Sequence, residues 1–271
     1  MTRHVPRQLC VDVRNQEEPV HSWMGYSVDS DIGRHCYVGL KTRTVAPESI
    51  DRLDLPPPLH DAELLGLEQI NFWSHSAGIL WPSVRRLARQ VAPRPVRVLD
   101  LATGGGDVAV SLWKKARRRG VALQIDGCDF HPRSIEYARR RAQAQGADVR
   151  FFRLDAVQEP LPPGYDLLMC SLFLHHLTDE VACRFIARMA EATRHMICIN
   201  DLLRCRRGLI LAYCGASVLT RSREVRADAP QSVRAGFALD EMAALARTAS
   251  LRDFRLGRRW PCRFLFEWSR A

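Results

Sequence analysis

Hydrophobic and polar positions change their period twice along this chain, and the changes mark its parts. Residues 1–58 show no sustained period and end in Pro56-Pro57-Pro58, so they are expected to form a poorly ordered N-terminal extension. From residue 59 apolar positions recur at helical spacing: Leu64, Leu65 and Leu67, then Ile70, Phe72 and Trp73, then Val84, Leu87 and Ala88. This predicts a helical lid over 59–94, with Pro82 separating two helices because it lacks an N–H. Beyond residue 95 short apolar runs alternate with amphipathic stretches. Strands are expected over 96–101, 121–129, 148–154, 165–170 and 195–201, with helices over 107–118, 132–145 and 179–192. A further helix (239–247) and two strand patterns (254–260 and 263–268) close the chain. Strands that alternate with helices mean an α/β fold, a mainly parallel sheet with helices on both faces.

Composition changes this picture little. The chain has 271 residues, enough for one domain with additions, and a formal charge of +10. Nearly all of its basic residues are arginine, in short scattered clusters without interleaved aromatics, which reads as a solvated surface and not as a nucleic-acid platform. Nine cysteines, an odd number with no CxxC pair, speak against a disulfide framework and a structural zinc site, and no metal site is expected. The start has no apolar stretch of signal-peptide type, and the longest apolar run, 209–219, is about half of the ~20 residues a membrane span needs. The chain is read as a cytoplasmic protein, monomer or homodimer, with a small-molecule substrate.

Ligands of such sheets lie at the carboxyl ends of the strands. The first strand ends in Asp100-Leu101-Ala102-Thr103-Gly104-Gly105-Gly106-Asp107, where glycines let backbone N–H groups and a helix N-terminus approach a ligand. The second ends in Asp129-Phe130-His131-Pro132, with a carboxylate suited to a ribose diol. The third ends in Leu154-Asp155-Ala156, where a carboxylate can accept from an amino group. The fourth ends in Ser171-Leu172-Phe173-Leu174-His175-His176-Leu177.

This ordered set resembles the class I S-adenosylmethionine-dependent methyltransferases, in particular the small-molecule branch that includes the ubiquinone and menaquinone C-methyltransferases. The resemblance covers about 95–201 and rests on VLDLATGGGD, on DFHP ahead of a helix, on LDA and on LHHL. It implies a Rossmann-like sheet of seven strands ending in a β-hairpin, a domain over 95–271, and S-adenosylmethionine as cofactor. Carried over by residue, it implies that Asp100, Ala102, Thr103, Gly104, Gly106 and Asp107 hold the methionine moiety. Asp129 then serves the ribose, Phe130 the adenine face, Asp155 and Ala156 the adenine amino edge, with Ser171 also at the cofactor. Ala102 stands where the wider family has its first glycine.

A nicotinamide reading competes for the same loop, since Gly104-x-Gly106-x-x-Ala109 fits a dinucleotide fingerprint. Against it, that turn gains nothing from Asp100, and no Ser/Tyr/Lys proton relay presents itself. Methyl transfer to a hydroxyl also needs a group near its proton, for which His175 and His176 are the candidates. Adjacent side chains diverge, so one of the two is expected to face the pocket, and packing or positioning weighs equally with general-base catalysis. A cap over 202–237 and the lid supply further substrate candidates: Phe72, His75, Arg204 and Arg234. The expected reaction is O-methylation of a phenolic or polyketide-type metabolite, as in secondary metabolism. C-methylation of a quinone precursor is the near alternative, and a non-catalytic cofactor-binding partner or a NAD-dependent oxidoreductase the alternatives of another class.

Overall fold

The computed structural model describes residues 40–220 and 222–270. Its centre is a seven-stranded sheet in the order β3-β2-β1-β4-β5-β7-β6. The strands are β1 (Val96–Leu101), β2 (Leu123–Asp129), β3 (Arg150–Arg153), β4 (Leu167–Ser171), β5 (Met196–Leu202), β6 (Arg255–Arg259) and β7 (Arg263–Ser269). β1 to β5 run parallel, while β7 pairs antiparallel with β5 and β6. The chain leaves β1 toward β2 and β3, then returns past β1 to β4. The crevice of the strand-order switch therefore opens between the ends of β1 and β4.

Buried strands explain the apolar runs. In β1, Val96 and Val98 face one core while Leu99 and Leu101 face the other, and Leu167/Met169 against Leu168/Cys170 repeat this in β4. The first core takes in α2 (Ser76–Val91), α3 (Asp107–Arg118) and α4 (Pro132–Ala144); the second takes in α5 (Asp179–Ala192) and α8 (Leu239–Thr248). Two more helices, α6 (Arg206–Leu219) and α7 (Arg223–Ala235), follow β5, and α1 (Pro57–Trp73) leads into α2. None of the helices among the described residues is long and apolar enough to cross a membrane.

Two expectations about the lid change. Pro82 lies inside α2, on its exposed side, and the helix boundary falls earlier, where His75 is left-handed (φ 60°). Gly78 permits this turn: a Cβ there would lie 1.9 Å from the His75 ring. The other concerns the extension. Residues 1–39 lie outside the described residues, but 40–56 form a strap packed on the domain. Arg43 fastens it: its guanidinium donates to the carbonyls of Leu174, His175, Leu177 and Ala235, pairs with Asp179 at 2.6 Å and lies 3.9 Å from the Phe237 ring.

The β1 turn is tight for a definable reason. Gly106 has φ 72°, and a Cβ on it would sit 2.6 Å from Phe151. Gly106→Ala is therefore expected to destabilise the protein by about 1–3 kcal/mol through overpacking, read as a lowered urea midpoint with unchanged slope.

Candidate functional site

One cavity of about 380 Å³ lies over the strand ends, and of the four strand ends read in the sequence all but the third contribute to it. The β1 turn forms its floor. Thr103 Oγ1 donates to Asp100 Oδ2 at 2.7 Å, and Gly104 N–H donates to Asp129 Oδ2 at 2.9 Å, so the two acids at the ends of β1 and β2 hold the loop between them. The other Asp129 oxygen accepts from His131 N–H at 2.9 Å. Ala102 sits at φ 52°, a left-handed position that suits glycine and that alanine holds at a cost of about 1–2 kcal/mol.

Ala102, Thr103, Gly104, Asp107, Asp129, Phe130, Ser171, His175 and His176 all border the cavity. Asp100, Gly106, Asp155 and Ala156 lie outside its lining; the Asp155 carboxylate instead accepts from Val157 and Gln158 N–H. The four substrate candidates are also elsewhere. Phe72 is 75% exposed, His75 forms the α1–α2 corner, Arg204 is tied to Glu241 and the Gly236 carbonyl, and Arg234 donates to the Tyr213 hydroxyl. Of these, the buried Arg204 is engaged in holding the scaffold together.

Burial drives the acids of the floor upward. Asp100 is pushed up to about 7, with Asp107 and Asp129 adding repulsion against the Thr103 hydrogen bond. Desolvation likewise raises Asp107 and Asp129 to about 6. A cavity floor that is short of positive charge suits a cationic ligand.

The opposite wall holds both histidines, not one. Their rings lie 4.4 Å apart, tilted by 36°, because each is drawn by its own carboxylate. His175 Nδ1 is 2.7 Å from Asp201 Oδ1, and His176 Nδ1 is 3.1 Å from Asp51 Oδ2. Asp201 has no exposed surface and its Oδ2 accepts from the N–H groups of Phe173, Leu174 and His175, which folds the β4 loop into a 3-10 turn, Leu174–His176. Glu48 comes down from the strap, with its oxygens 3.5 Å from His175 Nε2 and 3.8 Å from His176 Nε2. Burial alone would raise Glu48, but His176, His175 and the Ser232 hydroxyl outweigh it and hold the carboxyl down to about 2. Burial also opposes a charge on either imidazole, yet the surrounding carboxylates raise both, His176 to about 10.

Glu48, Asp51, Asp201, Asn71 and Arg263 escaped the sequence reading. Asp201 left a signal, an acid at the end of the fifth strand, and Arg263 stands at the start of the last strand, which only the antiparallel pairing brings to this edge; Glu48, Asp51 and Asn71 reach the cavity from segments with no strand-end position to flag them. Arg263 borders the cavity at 2% exposure, and its Nη1 has no hydrogen-bond partner among the described residues. The sheet order, with an antiparallel β7, departs from the 3-2-1-4-5-6 dinucleotide arrangement, which removes the structural basis of the nicotinamide reading.

Comparison with known proteins bears on this geometry. Residues 98–195 match a family model described as "Methyltransferase domain". The fold and this match define a class I S-adenosylmethionine-dependent methyltransferase domain, and this chain carries one. Among curated proteins, it is 41% identical over 109 residues to the demethylmenaquinone methyltransferase of Thermus thermophilus, and 36% identical over 93 residues to that of Deinococcus radiodurans. Those stretches cover 39% and 34% of this chain and only 46% and 37% of the relatives, less than half of their length. Among solved structures, an O-methyltransferase family 2 protein from Planctomyces limnophilus in complex with apigenin superposes with a TM-score of 0.53 at 18% identity, over 80% of this chain and 63% of that one. The magnesium protoporphyrin IX methyltransferase of Synechocystis with bound SAH gives 0.50 at 15% identity, over 72% and 84%. At such identities these likenesses speak for the fold.

The raised acid of the floor has a measurable consequence. Asp100 ordinarily titrates at 3.8 and here at about 7, so between those values the folded chain binds more protons at this site than the unfolded one. Its contribution to stability therefore falls as pH rises from 4 to 7. Asp100→Asn keeps an acceptor for Thr103 and removes the effect: the variant should gain stability relative to wild type across that range, measured by urea unfolding at stepped pH.

Proposed function

We propose that this protein transfers a methyl group from S-adenosylmethionine to a small apolar or aromatic acceptor, on the oxygen of a phenolic or polyketide-type hydroxyl. One observation carries the reading: a single cavity joins the Gly104–Asp129 corner to the His175–His176 wall across an apolar lining that includes Leu64, Leu67, Ile70, Leu211 and Val225. The residues present fit the cofactor. The open side of Gly104, where a Cβ would meet only Leu64 at 4.0 Å, admits a close approach to the backbone. Asp129 offers a carboxylate to ribose hydroxyls, and the unpartnered Nη1 of Arg263 offers a buried donor to a carboxylate.

When bound, S-adenosylmethionine supplies a sulfonium methyl, to which an acceptor lone pair forms the new bond while the carbon–sulfur pair stays on sulfur. The chain's own part is positional. Leu64, Leu67 and Ile70 of α1 and Leu211 of α6 exclude water and press the acceptor toward the floor. With Nδ1 of His175 on Asp201 and Nδ1 of His176 on Asp51, both Nε2 atoms turn toward the Glu48 carboxylate, and this cluster forms the wall that positions the acceptor's oxygen, its proton passing to water. C-methylation of a quinone precursor is the second reading, favoured by the 41% identity to a demethylmenaquinone methyltransferase.

Calorimetric titration tests the cofactor. S-adenosylmethionine and S-adenosylhomocysteine should bind and NADH should not, and Asp129→Ala should weaken the first two at least tenfold, about 1.4 kcal/mol. Binding of NADH alone would overturn the reading. At pH 6, where Asp129 is half protonated, the cationic S-adenosylmethionine should release more protons on binding than S-adenosylhomocysteine does, seen as a difference between buffers of unequal ionisation enthalpy.

Phenol and quinol panels test the acceptor. Turnover on phenols, reduced at least a hundredfold in kcat by combined His175→Ala and His176→Ala with cofactor affinity unchanged, is the expected result. Turnover confined to ring carbon of quinols would favour the second reading.

A further inference from the structure

The Nε2 atoms of two imidazoles and one carboxylate converge on a point at the cavity wall. Glu48, His175 and His176 each offer a ligating atom there, all within 4.8 Å of one another. We propose that these three residues bind a divalent transition-metal cation of the zinc class through His175 Nε2, His176 Nε2 and the Glu48 carboxylate, with a remaining position open to the cavity.

Distance is the first argument. The separations of 3.5 Å and 3.8 Å between Glu48 oxygens and the two Nε2 atoms are long for charge-assisted hydrogen bonds, which run about 2.7–2.9 Å. They are close to the chord between two ligands of one ion: atoms about 2.0–2.1 Å from zinc at tetrahedral angles lie about 3.3–3.4 Å apart. The two distances run to different Glu48 oxygens, and the three ligating atoms, within 4.8 Å of one another, draw inward to complete the set.

What lies behind the ligands is the second argument, and it is independent. A histidine that ligates through one nitrogen donates the other N–H to a carboxylate or carbonyl, which fixes its tautomer and raises its basicity. Both rings do this, His175 to Asp201 at 2.7 Å and His176 to Asp51 at 3.1 Å. The Glu48 carboxylate is oriented in turn by the Ser232 hydroxyl of α7. Each ligand therefore has its support, from β5, from the strap and from the cap.

Charge agrees. The carboxylates of Glu48, Asp51 and Asp201 surround the two imidazoles, so a cation that takes the place of the protons at Nε2 meets net negative charge, while the Arg43 guanidinium is occupied on the carbonyl side of the turn and with Asp179. Two histidines, one carboxylate and an open position are the ligand set of catalytic zinc sites. Its role here rests on the methyl-transfer reading: a cation on this wall would hold an ionised acceptor oxygen and favour loss of its proton to water. Binding of the cation does not depend on that reading.

The test uses the full chain, freed of metal with a chelator and titrated with Co²⁺, then Zn²⁺. One equivalent of Co²⁺ should produce visible d–d bands without a thiolate charge-transfer band, and Zn²⁺ should abolish them. Combined His175→Gln and His176→Gln should remove the bands, and Asp51→Asn, which keeps all three ligands, should weaken binding about 10–100-fold. Cys205→Ser with Cys262→Ser should leave it unchanged; those two thiols lie near each other, Cys262 at the cavity, and are the competing soft site.

Absence of the bands, their survival in the histidine variant with its melting transition intact, or a thiolate band lost with the cysteines would overturn the proposal. Each means that the cluster is an ion-pair network only. Co²⁺ binding without S-adenosylmethionine binding would keep the metal site and discard methyl transfer; the reverse would do the opposite.

Discussion

A buried carboxylate must find its hydrogen bonds inside the protein, and Asp201 does so in a way that builds the site. It stands at the end of β5 with no exposed surface, and its two oxygens serve three consecutive backbone N–H groups and the His175 ring. Because Phe173, Leu174 and His175 converge on one oxygen, the loop after β4 has to curl into a turn, and the curl brings both histidines to the cavity. The same turn presents its carbonyls outward, where Arg43 gathers them and so anchors the strap. The strap in turn delivers Glu48 and Asp51 to the other faces of the imidazoles. Remove the need to satisfy Asp201 and this chain of contacts has no starting point.

The cavity is electrostatically divided. On the floor, burial outweighs what partners the acids have, Arg263 and Asn71 for Asp107 among them, so the folded chain carries the cost of partly protonated Asp100, Asp107 and Asp129. On the far wall, the imidazoles hold the Glu48 and Asp201 carboxyls below their usual range although both are buried. One half is prepared for a ligand that brings positive charge, and the other already holds its charges in balance. Apolar side chains of α1, α6 and α7 separate the two and limit water between them.

Much of this was legible in the chain. Alternating apolar runs and amphipathic stretches determined the α/β sheet, since strands buried on both faces admit little else, and the helices at Asp107–Arg118 and Asp179–Ala192 stand where the periodicity set them. The strand-end rule by itself points to the β1 turn, Asp129 and the histidines, because in a parallel sheet those positions meet at one edge. Ala102 at a glycine position was also readable, and its left-handed φ gives the reason for the usual glycine.

What only the tertiary structure decided are contacts between segments distant in sequence. Pro82 reads as a helix break, but the break is made by His75, whose ring fits only because Gly78 has no side chain. Arg204 reads as a substrate group, but Glu241 lies within reach and takes it. Residues 40–56 carry no period because they form a strap and no regular strand or long helix, so nothing local reveals that Glu48 and Asp51 belong to the site. The sequence by itself determined the sheet, the floor and which side chains carry chemistry at its edge. Which carboxylate stands behind which imidazole was decided by packing, since hydrogen-bond partners of buried charges are chosen by proximity in space and leave no spacing in the chain.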